Sequence, residues 1–231
     1  SMAGEGDETK PAAAAASVAV GGGAGVGGAA GAHGGDTELR DLFAKAAALR
    51  KSMDSRERRG FDSKPAFLQH SLFHGLAGDI AAARLLPPAD RLAATRDLRA
   101  SGNQAFRARD WETAQMQYER AGSVWEYFTS VDGSDAWRRG LTDSAIRLIT
   151  LRESLAPLDA STAAADTALA HEVRATVASC YNNLCITLMK TTPPDFGAAV
   201  AAAEAVLDIE ARNVKALFRR AKARMDDPTK G

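Results

Sequence analysis

Apolar residues recur at three- and four-residue steps along the first part of the chain after residue 37, a spacing typical of amphipathic helices. The first such helix is predicted to begin with Thr37 as its N-cap. Its apolar positions are Leu39, Leu42, Phe43, Ala46 and Leu49. A second helix is predicted from the apolar positions Phe67, Leu68, Leu72, Phe73, Leu76 and Ile80. It ends before Pro87-Pro88, since proline cannot continue a helix.

The remainder, from Pro88 to Met225, also carries helical patterns. They are interrupted at Asp110-Trp111, Asp132-Gly133, Pro193-Pro194 and Arg212-Asn213. No convincing alternation of apolar and polar residues, as in a half-buried strand, occurs there. One additional helix is expected between Trp137 and Ile149, because Trp137, Ile146, Leu148 and Ile149 are apolar. The predicted fold class is all-α.

Residues 1–36 differ from everything that follows, because they are dominated by alanine and glycine. We expect a tail without a core, followed by an N-terminal helical segment at 37–87 and the main domain at 88–231. Gly23, Gly25 and Gly28 match G-x-G-x-x-G, yet no predicted strand precedes them. Glycine-rich sequence produces this match by chance, so we predict no nucleotide site.

Composition and charge exclude several classes of function. The 231 residues include 29 Lys+Arg and 29 Asp+Glu, so the net charge is zero. Neutrality argues against a general binder of nucleic acid or acidic membranes. No apolar run approaches the roughly 20 residues of a membrane-spanning helix, and the predicted location is the cytoplasm. Cys180 and Cys185 show neither zinc spacing nor a disulfide framework, so we predict reduced core thiols.

Candidate catalytic and metal-binding residues are few. His70 and His74 are four residues apart on a predicted helix, a spacing that suits either zinc or ordinary packing. No third ligand is evident nearby in the sequence, and we predict packing, with no metal and no cofactor. The chain has no G-x-S-x-G, no phosphate-binding G-K-[ST] and no cluster of Asp, Glu and His. We therefore predict that it is not an enzyme.

Small and aromatic residues recur at matching offsets in two segments, and a third segment begins in the same way. The first contains Gly102-Asn103, Phe106, Asp110-Trp111, Ala114, Tyr118 and Ala121. The second contains Tyr181-Asn182-Asn183-Leu184, Asp195-Phe196, Ala199, Ala203 and Val206, and the third begins at Val214. This pattern resembles the tetratricopeptide repeat (TPR), in which helices A and B pack closely at small residues. The resemblance implies an α-α superhelix with extra N-terminal helices.

The match departs from a regular array. Trp111 and Phe196 are much farther apart than one repeat of about 34 residues, and the surplus lies mostly at 128–170. The third repeat ends after its helix A, which leaves Leu217 and Phe218 uncovered. We expect chain beyond Gly231 or self-association through this helix to cover them.

Cationic and amide residues fall on the predicted A helices, which line the concave face of such solenoids. Their positions resemble those of the carboxylate-clamp TPR domains of co-chaperones, including the immunophilins. The matching residues are Arg99, Asn103, Asn183, Lys215 and Arg219. The resemblance implies that they bind two carboxylates at the C-terminal aspartate of a peptide. Arg99 stands where the family usually has lysine. The alternative for exposed Lys and Arg is ordinary solvation.

Two functions follow as expectations. The first is an adaptor of co-chaperone type that binds an acidic C-terminal peptide, such as one ending in Glu-Glu-Val-Asp, of a heat-shock chaperone. The second is a structural scaffold whose groove binds an internal segment of another protein or the chain's own N-terminal helices. Neither expectation includes a nucleic-acid or membrane partner.

Overall fold

The computed structural model describes residues 44–45, 56–76, 78–133, 136–138 and 140–229. The chain divides into two units, Ser1–Ala47 and Ala48–Gly231. In the first unit only Ala44 and Lys45 are described, and both are helical. The predicted tail and most of the helix predicted after Thr37 lie outside the described residues.

The described part of the second unit is mostly helical, which confirms the predicted fold class. Its nine helices are α1 (Arg59–Asp62), α2 (Ala66–His74), α3 (Gly78–Leu85), α4 (Pro88–Arg107), α5 (Trp111–Ser123), α6 (Leu151–Asp159), α7 (Ala164–Leu188), α8 (Phe196–Ile209) and α9 (Val214–Asp226). A short 3-10 helix spans Ala136–Arg138. Strands β1 (Tyr127–Ser130) and β2 (Ile146–Ile149) form a two-stranded antiparallel sheet.

Consecutive long helices pack against one another. Helix α4 packs on α5, α5 on α7, α7 on α8 and α8 on α9. Helix α7 also contacts α4 and α9, so α4, α7 and α9 are neighbours in one row. No helix in the described part is long and apolar enough to cross a membrane.

Small residues permit the close packing of α4 on α5. A Cβ atom added at Gly102 would lie only 2.7 Å from Cε1 of Tyr118. Ala114 and Ala121 are fully buried on the facing side of α5. A side chain at position 102 would therefore push the two helices apart or displace a buried ring.

The same capping turn starts three of these helices. Asp110 accepts a hydrogen bond from the backbone N–H of Thr113 at 3.0 Å, and Asp195 accepts one from Ala198 at 2.8 Å. Asn213 caps α9 in the same way. The interruptions in the helical pattern at these residues thus mark helix N-termini, where a side-chain oxygen satisfies a free N–H.

The additional helix expected between Trp137 and Ile149 is wrong. That stretch contains the 3-10 helix and strand β2, whose Ile146 pairs with Ser130 and whose Ile149 pairs with Tyr127. Ile146 is buried and Arg147 is exposed, which is the alternation of a short strand. The helix comes later, as α6, and begins with a capping box between Thr150 and Glu153. Helix α7 begins at Ala164, inside the predicted insertion at 128–170.

The single helix predicted across Phe67 to Ile80 is also wrong, since the structure has two helices there. Helix α2 ends at His74 with Gly75 as its C-cap, and α3 begins at Gly78. The Arg84 guanidinium of α3 donates to the carbonyl oxygen of Ser71 at 2.9 Å. This bond satisfies a carbonyl near the end of α2 and links α3 to α2.

The N-terminal helices pack on the helices that follow through both α2 and α3, and α3 contacts α4. Helix α2 contacts α5 and β1, and the ring of Phe67 lies 5.2 Å from that of Tyr181 on α7. The insertion also contacts this segment, because Asp143 accepts hydrogen bonds from the N–H groups of Gly60 and Phe61. Residues 59–74 therefore contact both the insertion and α5.

Candidate functional site

A cavity of about 460 Å³ lies where α4, α5, α7 and α9 meet. Its lining residues are Asn103, Phe106, Arg107, Tyr118, Asn183, Ile186 and Arg219. Three of the residues predicted from the sequence, Asn103, Asn183 and Arg219, thus come together from three helices that are far apart in the chain. Phe106 and Ile186 supply apolar wall.

A hydrogen-bond network links the two amides of the cavity. The Tyr118 hydroxyl donates to Oδ1 of Asn103 at 2.8 Å, and Nδ2 of Asn183 donates to the same oxygen at 3.0 Å. Both lone pairs of that oxygen are therefore occupied. The Nδ2 group of Asn103 remains as the donor that this side chain offers to a ligand.

Two guanidinium groups add positive charge to this wall. Arg219 donates to the carbonyl oxygen of Asn182 on α7, so it is anchored to the neighbouring helix. Burial lowers the pKa of Arg219, although an arginine stays protonated at neutral pH. Arg107 lies one turn after Asn103 and is exposed. The polar part of the wall is thus rich in donors and cations and has no acidic side chain.

The other two predicted residues do not line the cavity. Nη1 of Arg99 donates to Oγ of Ser179 on α7 at 3.1 Å. Its Nε is buried and has no hydrogen-bond partner among the described residues. Lys215 is exposed on α9, one turn before Arg219. Both lie one turn from a lining residue and extend the same row along α4, α7 and α9.

Sequence reasoning missed four lining residues for the site. Tyr118 and Phe106 were interpreted only as packing residues of the repeat, although Tyr118 holds Asn103. Arg107 and Ile186 follow Asn103 and Asn183 by four and three residues, which places them on the same helix faces. That spacing is the signal that identifies them from sequence.

The two cysteines near this cavity are buried, and burial raises the pKa of both thiols. Burial raises the pKa of Cys180 to about 12 and that of Cys185 to about 11. Both thiols are therefore protonated at neutral pH, and a protonated thiol is a poor nucleophile. Both are free and buried, consistent with core packing.

His70 and His74 meet a residue that sequence spacing did not reveal. Nδ1 of His70 lies 2.9 Å and Nε2 of His74 lies 3.4 Å from Oε2 of Glu119 on α5, and Gln115 donates to the other carboxylate oxygen. Burial alone would raise the pKa of Glu119, but hydrogen bonds from the two histidines and Gln115 bring it down to about 2. Within the described ranges no group of three or more His, Cys, Asp or Glu side chains is arranged to hold a metal ion.

A larger cavity of about 650 Å³ lies elsewhere in the second unit and differs in charge. Its wall mixes basic and acidic side chains, including Lys64, Arg174, Glu126 and Asp208. A carboxylate ligand would meet acidic groups there, whereas the wall formed with Asn103 and Arg219 presents none.

Comparison of the chain with protein-family models, with curated proteins and with solved structures finds no match.

Proposed function

We propose that this chain is a protein-interaction adaptor with a TPR domain of the carboxylate-clamp type. In this proposal it binds the acidic C-terminal peptide of a heat-shock chaperone in the cytoplasm. The single observation that carries the proposal is the donor-rich cavity that brings Asn103, Asn183 and Arg219 together from α4, α7 and α9.

The chemistry of the cavity suits a carboxylate. Arginine and amide N–H groups form charge-assisted hydrogen bonds with carboxylate oxygens, which are stronger than bonds between neutral groups. Arg107 and Arg219 supply cations in a protein whose net charge is zero. The apolar side chains Phe106 and Ile186 offer contact to an aliphatic residue next to the terminal one.

Two neighbouring residues extend the site beyond the cavity, along α4 and α9. Lys215 is exposed one turn from Arg219, and Arg99 lies one turn from Asn103. In the proposal, Lys215 attracts acidic side chains farther from the peptide terminus. Arg99 contributes positive potential while it stays bonded to Ser179.

The scaffold alternative, in which the N-terminal helices occupy the groove, has less support. Helix α2 packs on α5 and β1, and none of the residues lining the cavity comes from α1, α2 or α3. If the cavity instead binds an internal segment of another protein, we expect equal affinity for a free-acid peptide and for its C-terminal amide. The proposal assigns no catalytic role to the chain, in keeping with the protonated thiols of Cys180 and Cys185.

The test is calorimetric titration with a peptide ending in Glu-Glu-Val-Asp and with its C-terminal amide. We expect the free acid to bind more tightly, because only it carries the terminal carboxylate. Asn183→Ala should lower the affinity for the free-acid peptide by about tenfold or more, because a hydrogen bond to a charged group contributes that much. Lys215→Glu should abolish binding without unfolding the protein.

The matched control is Lys64→Glu, which makes the same charge change at an exposed position between α1 and α2, outside the lining of this cavity. It should leave both affinities nearly unchanged. Equal affinity for acid and amide in the parent protein, or no binding of either, would refute the proposal. Retained affinity in Lys215→Glu would refute the role of that residue alone.

A further inference from the structure

The two hydrogen bonds to Asn103 decide which end of its amide faces the cavity. A carboxamide carries one acceptor oxygen and one donor NH2 group, and its orientation follows from its partners. Oδ1 of Asn103 accepts from Tyr118 at 2.8 Å and from Asn183 at 3.0 Å. With its acceptor engaged twice, Asn103 has only donors left for a ligand.

The Tyr118 hydroxyl is the fixed member of this network. The residue is 1% exposed, and its ring lies against Gly102. Burial raises the pKa of Tyr118, so the hydroxyl keeps its proton and can donate it. Turning the Asn103 amide over would place its NH2 group against the phenol, and the hydroxyl would lose Oδ1 of Asn103, the acceptor to which it donates at 2.8 Å. A buried donor without a partner is costly, so the turned orientation is disfavoured.

Asn183 alone cannot impose the same orientation. It is only half-buried, and its own amide can turn together with that of Asn103. A phenol hydroxyl in a packed ring has far less freedom, because the ring is confined by the facing helix.

From this geometry we infer that Tyr118 is a positioning residue that makes the cavity select a carboxylate over an amide. The inference rests on the proposed function of the same cavity. Tyr118 does not contact the ligand carboxylate in this account. It acts through Asn103, by keeping Nδ2 towards the ligand and Oδ1 away from it. Without the phenol hydroxyl, Asn103 can present Oδ1, which repels a carboxylate and accepts from an amide N–H.

The test is the ratio of affinities for the free-acid and amidated Glu-Glu-Val-Asp peptides in Tyr118→Phe. We expect this ratio to fall by about 3- to 10-fold, which is what the net contribution of one hydrogen bond corresponds to. The matched control is Tyr181→Phe. Tyr181 is also a buried tyrosine against a glycine, but its hydroxyl donates to Glu126 at 3.0 Å. It should lower the melting temperature and leave the ratio unchanged.

A purely structural role for Tyr118 predicts a different outcome, namely a lower melting temperature and an unchanged ratio. That result would overturn the inference while leaving the proposed function in place. Absence of any preference for the acid in the parent protein would overturn both. The effect must also pass through Asn103. In an Asn103→Ala background, Tyr118→Phe should leave the ratio unchanged, and an undiminished effect there would contradict the inference.

If Tyr118→Phe does not fold, Asn103→Asp provides the decisive variant. An aspartate can still accept from Tyr118, but it presents a charged acceptor to the cavity in place of a donor. We expect the preference for the free acid to be lost or reversed. An unchanged preference would show that Asn103 is not the donor and would overturn the inference.

Discussion

Gly102→Ala tests whether close packing of α4 on α5 sets both stability and the geometry of the cavity. A Cβ atom at this position would lie 2.7 Å from Cε1 and 2.8 Å from Cδ1 of Tyr118. Real Cβ atoms essentially never approach another heavy atom so closely, and an ordinary contact begins near 3.4 Å. The ring must therefore move by several tenths of an ångström, although it is 1% exposed and its hydroxyl is bonded to Asn103.

Two opposing contributions decide how much Gly102→Ala changes the free energy of unfolding. Replacing glycine by alanine inside a helix favours the folded state by about 1 kcal/mol. Overpacking of a rigid core costs about 1–3 kcal/mol, and the fixed ring of Tyr118 places this case at the upper end. We therefore expect Gly102→Ala to lower the free energy of unfolding by about 1–2 kcal/mol.

Thermal and urea unfolding followed by circular dichroism measure this change. The control is Gly78→Ala, where an added Cβ meets nothing within 4 Å. That variant should be neutral or slightly stabilising. A Gly102→Ala protein at least as stable as the parent would refute the packing argument, because it would show that Tyr118 yields without cost. Displacement of Tyr118 should also reduce the preference for the free-acid peptide.

Two further predictions concern a helix cap and a partly buried ion pair. Asp195→Ala should cost about 1 kcal/mol of stability, whereas Asp195→Asn, which keeps a capping oxygen, should cost much less in the same unfolding assay. The hydrogen bond to Glu119 raises the pKa of His70, so its stabilisation is complete below the usual value of 6.5 and is lost as pH rises through the higher folded value. The folded pKa of Glu119 is about 2, against a usual value of 4.5, so its stabilisation is present above 4.5 and is lost as pH falls towards 2. The His70–Glu119 pair should therefore raise the melting temperature most between pH 4.5 and 6.5, and Glu119→Gln should lack this contribution. If Glu119→Gln and the parent protein show the same dependence of melting temperature on pH, the pair does not stabilise the fold.

Helical periodicity and capping residues predict much of the fold because they are local signals. Asp110 and Asn213 mark helix starts in the sequence and act as N-caps in the structure. The insertion is different. Its strand around Ile146 has only four residues, too few to show whether apolar residues recur with the strand period of 2 or the helix period of 3.6. The separation of α2 from α3 was not predicted either, because the apolar spacing from Phe67 to Ile80 continues across Gly75, where α2 ends.

The candidate site was predictable to the extent that residues share one helix face. Asn103 and Asn183 are separated by 80 residues, and their side chains form a hydrogen bond between α4 and α7. The network through Tyr118 was not predictable, because a residue at a packing position gives no sign of where its hydroxyl points. Likewise, Glu119 is brought to His70 by tertiary packing of α2 on α5 and not by spacing.

The most direct test of the central claim is a nuclear magnetic resonance titration that follows the side-chain amide signals of Asn103 and Asn183. Free-acid Glu-Glu-Val-Asp peptide should shift both signals in proportion to occupancy, because the carboxylate accepts from these donors. The amidated peptide should shift them little at the same concentration. Unmoved Asn103 and Asn183 signals while residues around the larger cavity near Lys64 shift would contradict the account, because the peptide would then bind elsewhere.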